Sequence, residues 1–248
     1  IFFADELLIS GARIHNNRKG ALLNEVSLRM ESTSIDSSRE IGLKLMHTSG
    51  ILEKISSQHN GVALELGEGS QANITQSQFS NNELTIDASA SVSLSLSFST
   101  VSHSRNGVRL GNYAEASILS NQFRLIDGYS VELSGPHIQS LLMRQNVVSK
   151  TGGVLNSRTS AGEIRVQSNT FANNLSGITA SKRTLTALDH NIFFHTASPE
   201  TQLLKDEQPF RWNCLYPAKE IQQPVSTESG NIYSDPDFGT NYYLNPTP

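Results

Sequence analysis

The 248-residue sequence has a single cysteine, Cys214, and no apolar run that approaches the roughly 18 residues of a membrane helix. An internal disulfide and a cysteine-rich metal knuckle are therefore excluded. Lysine and arginine together number 19, against 23 aspartates and glutamates, which gives a net charge of −4. Without a basic excess we expect no nucleic-acid partner, and without an apolar span we expect no transmembrane helix.

The first ten residues, IFFADELLIS, lack a basic leader and include Asp5 and Glu6, so they do not resemble a signal peptide. The sequence also lacks an initiator Met. We expect it to be part of a longer chain.

Proline is scarce over the first 198 residues, which contain one of the eight prolines, and the only tryptophan, Trp212, also lies beyond them. Proline has no N–H to donate to a sheet and avoids central strands. The sequence therefore predicts regular β-structure over residues 1–198. Residues 199–248 are predicted to form an irregular, proline-rich C-terminal tail packed on that structure.

The residues that are present form a repeat. In the stretch IRVQSNTFANNLSGITAS, residues 164–181, a short β-branched run is followed by Asn169, Phe171 and Gly177. A glycine or its equivalent recurs every 19 to 25 residues, at Gly20, Gly42, Gly61, Glu83, Gly107, Gly128, Gly153 and Gly177. A bulky apolar residue keeps the same period, at Ile14, Ile35, Ile55, Phe79, Val101, Phe123, Val147, Phe171 and Phe193. Two independent markers with one period indicate a structural repeat.

Each repeat divides into three short runs, such as IRVQ, TFAN and GITAS, separated by turns. A leucine-rich horseshoe would need a helical stretch and dense leucine in every repeat, whereas these repeats carry Ser, Thr and Asn. Coiling such repeats stacks each strand on its equivalent in the next coil, about 4.8 Å away, and forms long parallel sheets.

Three features of the coil follow from this stacking. The bulky apolar residues should form a column inside it, and glycine should supply the backbone freedom of the turn that follows. The asparagines before the apolar residues should form a hydrogen-bonded ladder at a tight bend, with members Asn121, Asn146, Asn169 and Asn191.

These repeats resemble the right-handed parallel β-helix of the pectate-lyase-like superfamily over residues 8–197. The resemblance implies an all-β fold of about eight to nine turns, each of about 22 residues, with an irregular C-terminal capping tail. The segment GNIYSDPDFGTNYYLNP, residues 230–246, is similar to the closing Asp-Pro-x-Phe … Leu-x-Pro signature of many secreted bacterial β-helix proteins. The matching residues are Asn231, Asp235, Pro236, Phe238, Leu244 and Pro246.

The Ser-Pro that customarily follows this signature is replaced by Thr247-Pro248. The resemblance implies a secreted or cell-surface protein, whose tail covers the open end of the coil.

Alternation along the strand after the glycine turn predicts which side chains point outward. In GVALEL, residues 61–66, Ala63 and Glu65 should point outward. Aligning all repeats in this way gives two outward rows. The row nearer the glycine holds Leu22, Lys44, Ala63, Thr85, Arg109, Ser130, Leu155 and Thr179. The farther row holds Asn24, Met46, Glu65, Asp87, Gly111, Glu132, Ser157 and Ser181.

The resemblance implies that the substrate cleft lies over these rows. In lyases of the superfamily, Arg or Lys removes the proton beside a uronate carboxylate, often with calcium neutralising that carboxylate. In the hydrolases, paired acids on neighbouring turns activate water and protonate the leaving oxygen. The candidate catalytic residues are Arg109 and Glu132. The candidates for substrate binding are Lys44, Glu65, Asp87 and Lys182.

Glu65 and Asp87 should lie on adjacent turns, roughly 5 Å apart, where they are candidate calcium ligands. A plain structural explanation competes with these roles, because opposite charges on neighbouring strands stabilise a sheet by about 0.2–1 kcal/mol per pair. The rows also contain no Trp or Tyr to stack on a sugar ring, and Tyr113 is only nearby in a turn.

Two classes of function therefore remain open, since the fold does not decide between them. The first is binding or cleavage of an acidic polysaccharide. If the protein is an enzyme, lyase-like chemistry is favoured over glycoside hydrolysis. The second is a non-catalytic adhesin, surface or fibre module that uses the coil as a rigid scaffold. Nothing in the sequence specifies an oligomeric state.

Overall fold

The computed structural model of the protein describes residues 6–180, 183–196, 210–216, 230–232 and 235–236. The regular structure in these residues consists of 28 strands, without a helix, in three parallel sheets called here A, B and C. The chain visits the three sheets in turn, and each circuit forms one coil. The predicted fold class is confirmed as a parallel β-solenoid of about 9 turns.

Sheet A contains ten strands. In spatial order they are β1 (Leu7–Ser10), β4 (Ser27–Glu31), β7 (Ser49–Glu53), β10 (Gln71–Thr75), β13 (Ser93–Ser97), β16 (Glu115–Leu119), β19 (His137–Arg144), β22 (Ala161–Gln167), β25 (Leu185–Asp189) and β27 (Phe210–Arg211).

Sheet B also contains ten strands, most of them three residues long. They are β2 (Arg13–His15), β5 (Ser34–Asp36), β8 (Ser56–Gln58), β11 (Gln78–Ser80), β14 (Thr100–Ser102), β17 (Gln122–Arg124), β20 (Val147–Ser149), β23 (Thr170–Ala172), β26 (Ile192–Phe194) and β28 (Cys214–Tyr216).

Sheet C contains eight strands and carries the predicted site. They are β3 (Lys19–Asn24), β6 (Ile41–Met46), β9 (Val62–Leu66), β12 (Leu84–Ala88), β15 (Asn106–Leu110), β18 (Tyr129–Leu133), β21 (Gly153–Ser157) and β24 (Ile178–Thr179). No helix in the described part of the chain has the length and hydropathy to cross a bilayer.

An apolar column runs through the interior along sheet B. Each three-residue strand points its middle residue inward, because side chains alternate between the two faces of a sheet. The pairing register gives the column Phe79, Val101, Phe123, Val148, Phe171 and Phe193. The rings of Phe171 and Phe193 lie 5.0 Å apart between centroids.

Two members of the predicted column are wrong by one or two positions. Val147 is half-buried and pairs with Gln122, whereas Val148 is fully buried and pairs with Phe123. Likewise Ser57, and not Ile55, lies between Ile35 and Phe79. Repeats of unequal length move the marker residue relative to the strand, so a marker counted along the chain drifts away from the structural column.

The predicted asparagine ladder is confirmed at the corner between sheets A and B. The backbone N–H of Asn121 donates to Asn146 Oδ1 at 2.9 Å. The equivalent N–H···Oδ1 hydrogen bonds from Asn146 to Asn169 and from Asn169 to Asn191 are 2.9 Å and 3.0 Å long. The ladder continues through Asn213. Because these groups are buried, every rung satisfies a backbone donor that water cannot reach.

The predicted role of glycine in the turn is wrong, since none of the seven recurring glycines, all within the described residues, has a positive φ. The left-handed backbone lies instead at non-glycine residues just before the ladder, such as Ser120 and Gln145 with φ of 56° and 58°. Gly42 is needed for close approach, since a Cβ there would lie 2.7 Å from both the Ala63 carbonyl oxygen and Ile35 Cγ2.

The sheets continue beyond residue 198, since β27 pairs with β25 in sheet A and β28 pairs with β26 in sheet B. Farther along, Asn213 N donates to Asn231 Oδ1 at 2.8 Å and Leu215 N donates to the Ile232 carbonyl at 2.9 Å. These segments of the predicted tail therefore lie on the last coil. Of the tail signature, Phe238, Leu244 and Pro246 lie outside the described residues.

Candidate functional site

Five charged side chains of the predicted site lie in one row on the outer face of sheet C. Neighbouring strands β6, β9, β12, β15 and β18 each contribute one residue. The pairing register runs, in order, through Lys44, Glu65, Asp87, Arg109 and Glu132. Leu22 precedes this charged row, and Asn156 and Thr179 continue it.

The two-row arrangement predicted from the sequence is wrong. Ala63, Thr85 and Ser130 were assigned to an outward row, but each is at most 1% exposed. Their column includes Gly42, whose missing Cβ would point at Ile35 in the core. That column therefore faces the interior beside sheet B. Glu65, Asp87 and Glu132, assigned to the second row, lie in register with Lys44 and Arg109 of the first.

Ion pairs link the members of the charged row. Lys44 Nζ donates to Glu65 Oε1 at 2.5 Å, with both side chains less than a third exposed. Arg109 lies between two carboxylates, with Nη1 at 3.6 Å from Asp87 Oδ2 and Nε at 3.6 Å from Glu132 Oε2. Two cations and three carboxylates leave the row with a formal charge of 2 − 3 = −1.

Glu65 and Asp87 are adjacent across β9 and β12, as predicted. Ser89 Oγ also donates to Asp87 Oδ1. Within the described residues, no group of three or more His, Cys, Asp or Glu side chains is close enough to hold a metal ion. The pair supplies carboxylate oxygens, which calcium prefers, but Ca²⁺ takes six to eight oxygen ligands. Ligands from water or a bound polymer would have to complete such a site.

Lys182, the remaining predicted substrate-binding residue, lies outside the described residues. Tyr113 lies at the corner between sheets C and A, where its ring stacks on His137 with centroids 6.0 Å apart. Tyr113 is 61% exposed. The sequence analysis missed this pair because the two residues lie on adjacent coils, 24 positions apart in the chain.

Two further groups of charges lie outside the row. Arg18 Nε donates to Glu40 Oε1 at 2.5 Å, and this hydrogen bond lowers the pKa of Glu40. On sheet A, Glu31 and Glu53 are stacked in register, and Lys54 lies 3.7 Å and 3.1 Å from them. The hydrogen bond to Glu53 raises the pKa of Lys54. Both groups join adjacent coils, which only the pairing register reveals.

Comparison with known proteins adds little to this geometry. No protein-family model and no curated protein matches the chain. Among solved structures, the chain is similar to a double mutant of the tailspike protein of E. coli bacteriophage HK620, at 12% sequence identity and a TM-score of 0.45. The match covers 84% of this chain and 53% of the tailspike chain, so this chain spans about half of the tailspike's length. The strand pairing itself defines the chain as a parallel β-solenoid protein.

Proposed function

We propose that the outer face of sheet C binds an acidic polysaccharide laid along the solenoid axis. The observation that carries the proposal is the charged row itself, in which Lys44 and Arg109 lie among three carboxylates on five adjacent strands. The row follows the solenoid axis, so one extended polymer chain can contact all of it.

The two cations are the direct contacts for the polymer. Lys44 and Arg109 are three strands apart, about 14 Å at the usual strand spacing. Each can exchange part of its present ion pair for a carboxylate of the polymer, with a charge-assisted hydrogen bond. Glu65 and Asp87 would repel a polyanion unless a divalent cation bridges them to it. We therefore propose that calcium strengthens binding.

The geometry favours binding over cleavage. A lyase base must be free to accept a proton, whereas the guanidinium of Arg109 is engaged by Asp87 and Glu132. A catalytic role for Arg109 and Glu132 stays a proposal. It predicts an absorbance increase from new double bonds when the protein is incubated with polyuronates and calcium.

Replacing Arg109 with glutamine tests the binding face. We expect Arg109→Gln to weaken binding of a fluorescently labelled polyuronate by about tenfold, because one charge-assisted contact is lost. Fluorescence anisotropy, with calcium and with a chelator, measures the affinity. The matched control is Arg124→Gln, which removes the same charge from sheet B. Equal affinities for the two variants would exclude sheet C as the binding face.

The scaffold alternative has its own supporting observation, which is that the described charges of the row are already paired with one another. A rigid display module predicts no binding to any acidic polysaccharide and a loss of thermal stability in Arg109→Gln. The binding proposal predicts saturable binding of a polyuronate that Arg109→Gln weakens, whereas the loss of the ion pairs to Asp87 and Glu132 lowers stability under both hypotheses. Binding to a polysaccharide outside the cell would agree with the proposed secreted or cell-surface location.

A further inference from the structure

A concave surface lies apart from the charged row, at the corner between sheets B and C of the first two coils. This open pocket has a volume of about 560 Å³ and is lined by Asn16, Asn17, Arg18, Ser37, Arg39 and Glu40. The two loops that form it are stacked by backbone hydrogen bonds. Arg39 N donates to the Asn17 carbonyl at 3.0 Å, and Glu40 N donates to the Arg18 carbonyl at 2.9 Å.

This corner pocket carries a positive charge, unlike the row on sheet C. Arg18 and Lys19 pair with the carboxylate of Glu40, and Arg39 lines the same pocket, which leaves a formal charge of 3 − 1 = +2. Asp36 lies next to Ser37, but its carboxylate is already 4.0 Å from Arg13. The chain as a whole has a net charge of −4, so the pocket is a local exception.

The guanidinium groups in the pocket have N–H donors that their present ion pairs do not use. Arg18 contacts Glu40 through Nε, and an arginine has five N–H donors in a fixed fork. Arg39 is exposed, and no carboxylate among the residues described lies within ion-pair distance of it. The neutral groups of Asn16, Asn17 and Ser37 add hydrogen-bond donors around the same space.

We infer that the corner pocket binds an oxyanion group, held between the guanidinium forks of Arg18 and Arg39. A carboxylate, sulfate or phosphate presents two adjacent oxygens that accept a bidentate pair of hydrogen bonds from such a fork. Glu40 competes with the ligand for Arg18 and so sets a limit on the affinity. The inference is independent of polysaccharide binding on sheet C, because no residue of the pocket belongs to the charged row.

Sulfate and phosphate titrations test the inference, with backbone amide shifts followed by NMR at constant ionic strength. In the wild-type protein we expect saturable shifts at residues 16–18 and 37–40. Arg39→Gln should weaken binding by about tenfold. Glu40→Gln should strengthen it by about threefold, because Arg18 is released. The charge-matched control, Arg29→Gln on sheet A, should leave the affinity unchanged.

The signs of these changes decide the outcome. A general response to net charge predicts the same weakening for Arg29→Gln as for Arg39→Gln, and that result would overturn the inference. Absence of saturable shifts in the pocket would do so as well. Arg109→Gln should not change sulfate binding, so failure of the pocket and failure of the sheet C proposal remain distinguishable.

The source of the oxyanion follows from a second titration, with a sulfated and a uronate oligosaccharide of equal length. Tighter binding than inorganic sulfate, weakened by Arg39→Gln, identifies a sugar-borne group. Affinities no better than that of the free ion identify a small inorganic anion as the ligand. Either result supports the site, and binding that Arg39→Gln leaves intact contradicts it.

Discussion

Ser130 has a buried hydroxyl in the column that faces the core, and its Oγ has no hydrogen-bond partner among the described residues. An unsatisfied buried hydroxyl costs free energy, so removing it should not destabilise the fold. We expect Ser130→Ala to leave the free energy of unfolding unchanged or raise it by up to about 1 kcal/mol. Denaturant titration measures the change.

Thr85 provides the control in the same column, because it is equally buried and its Oγ1 donates to the Asn106 carbonyl at 3.3 Å. Thr85→Val keeps the shape of the side chain and removes the bond. It should lower the free energy of unfolding by about 1 kcal/mol. If Ser130→Ala lost as much stability as Thr85→Val, the hydroxyl would have a partner that the structure does not show.

Glu40 gives a prediction for pH. The hydrogen bond from Arg18 lowers its pKa in the folded protein. A carboxyl with a lowered folded pKa stabilises the protein above its usual pKa, and this contribution is lost as pH falls through the lowered value. In an NMR titration of the side chain, Arg18→Gln should move the midpoint upward. The same midpoint in both proteins would show that Arg18 does not hold the carboxylate.

The asparagine ladder shows how one polar residue type fixes a corner. Asn146 accepts from Asn121 N and Nδ2 through its Oδ1, and its Nδ2 donates to the Ile118 carbonyl at 2.7 Å. Asn146→Ala leaves the Asn121 N–H groups and the Ile118 carbonyl without this hydrogen-bond partner in a buried position. We expect a loss of about 2–4 kcal/mol in the free energy of unfolding, measured by chemical denaturation. Asn73→Ala, on the exposed face of sheet A, should change it by less than about 0.5 kcal/mol.

The strands show which information the sequence carries and which it does not. The period, the inward Phe79 and Phe123 and the ladder were predictable, because burial and hydrogen bonding demand particular residue types at each corner. The exact register was not. A three-residue strand has one inward position, so the unequal repeats around β20 were enough to put Val147 in place of Val148.

The same limit applies to the candidate site. Its charged residues were identified from alternation, but the alignment to glycine assigned Arg109 to a different row from Asp87 and Glu132. Neighbouring coils differ in length by a few residues, and one step of register turns a side chain to the other face. The ion pairs that neutralise the row, and the pocket formed by Arg18 and Arg39, depend on contacts between coils that no local pattern contains.

Across the solenoid, each coil contacts mainly its neighbours, so the outer faces can differ in character without disturbing the core. Sheet C carries a row of paired charges over five strands, whereas the first two coils form a basic corner. The central claim is that sheet C is the face that an acidic polysaccharide covers. Hydroxyl-radical footprinting tests it directly, since side-chain oxidation reports local exposure.

Oxidation should be compared with and without a saturating polyuronate in the presence of calcium. Leu22 and Met46 lie on sheet C beside the charged row, whereas Ile51 on sheet A and Phe98 at the A–B corner are exposed elsewhere. We predict that the polymer reduces oxidation of Leu22 and Met46 and leaves Ile51 and Phe98 unchanged. Protection of Ile51 or Phe98, with Leu22 and Met46 still oxidised at the free rate, would contradict the account.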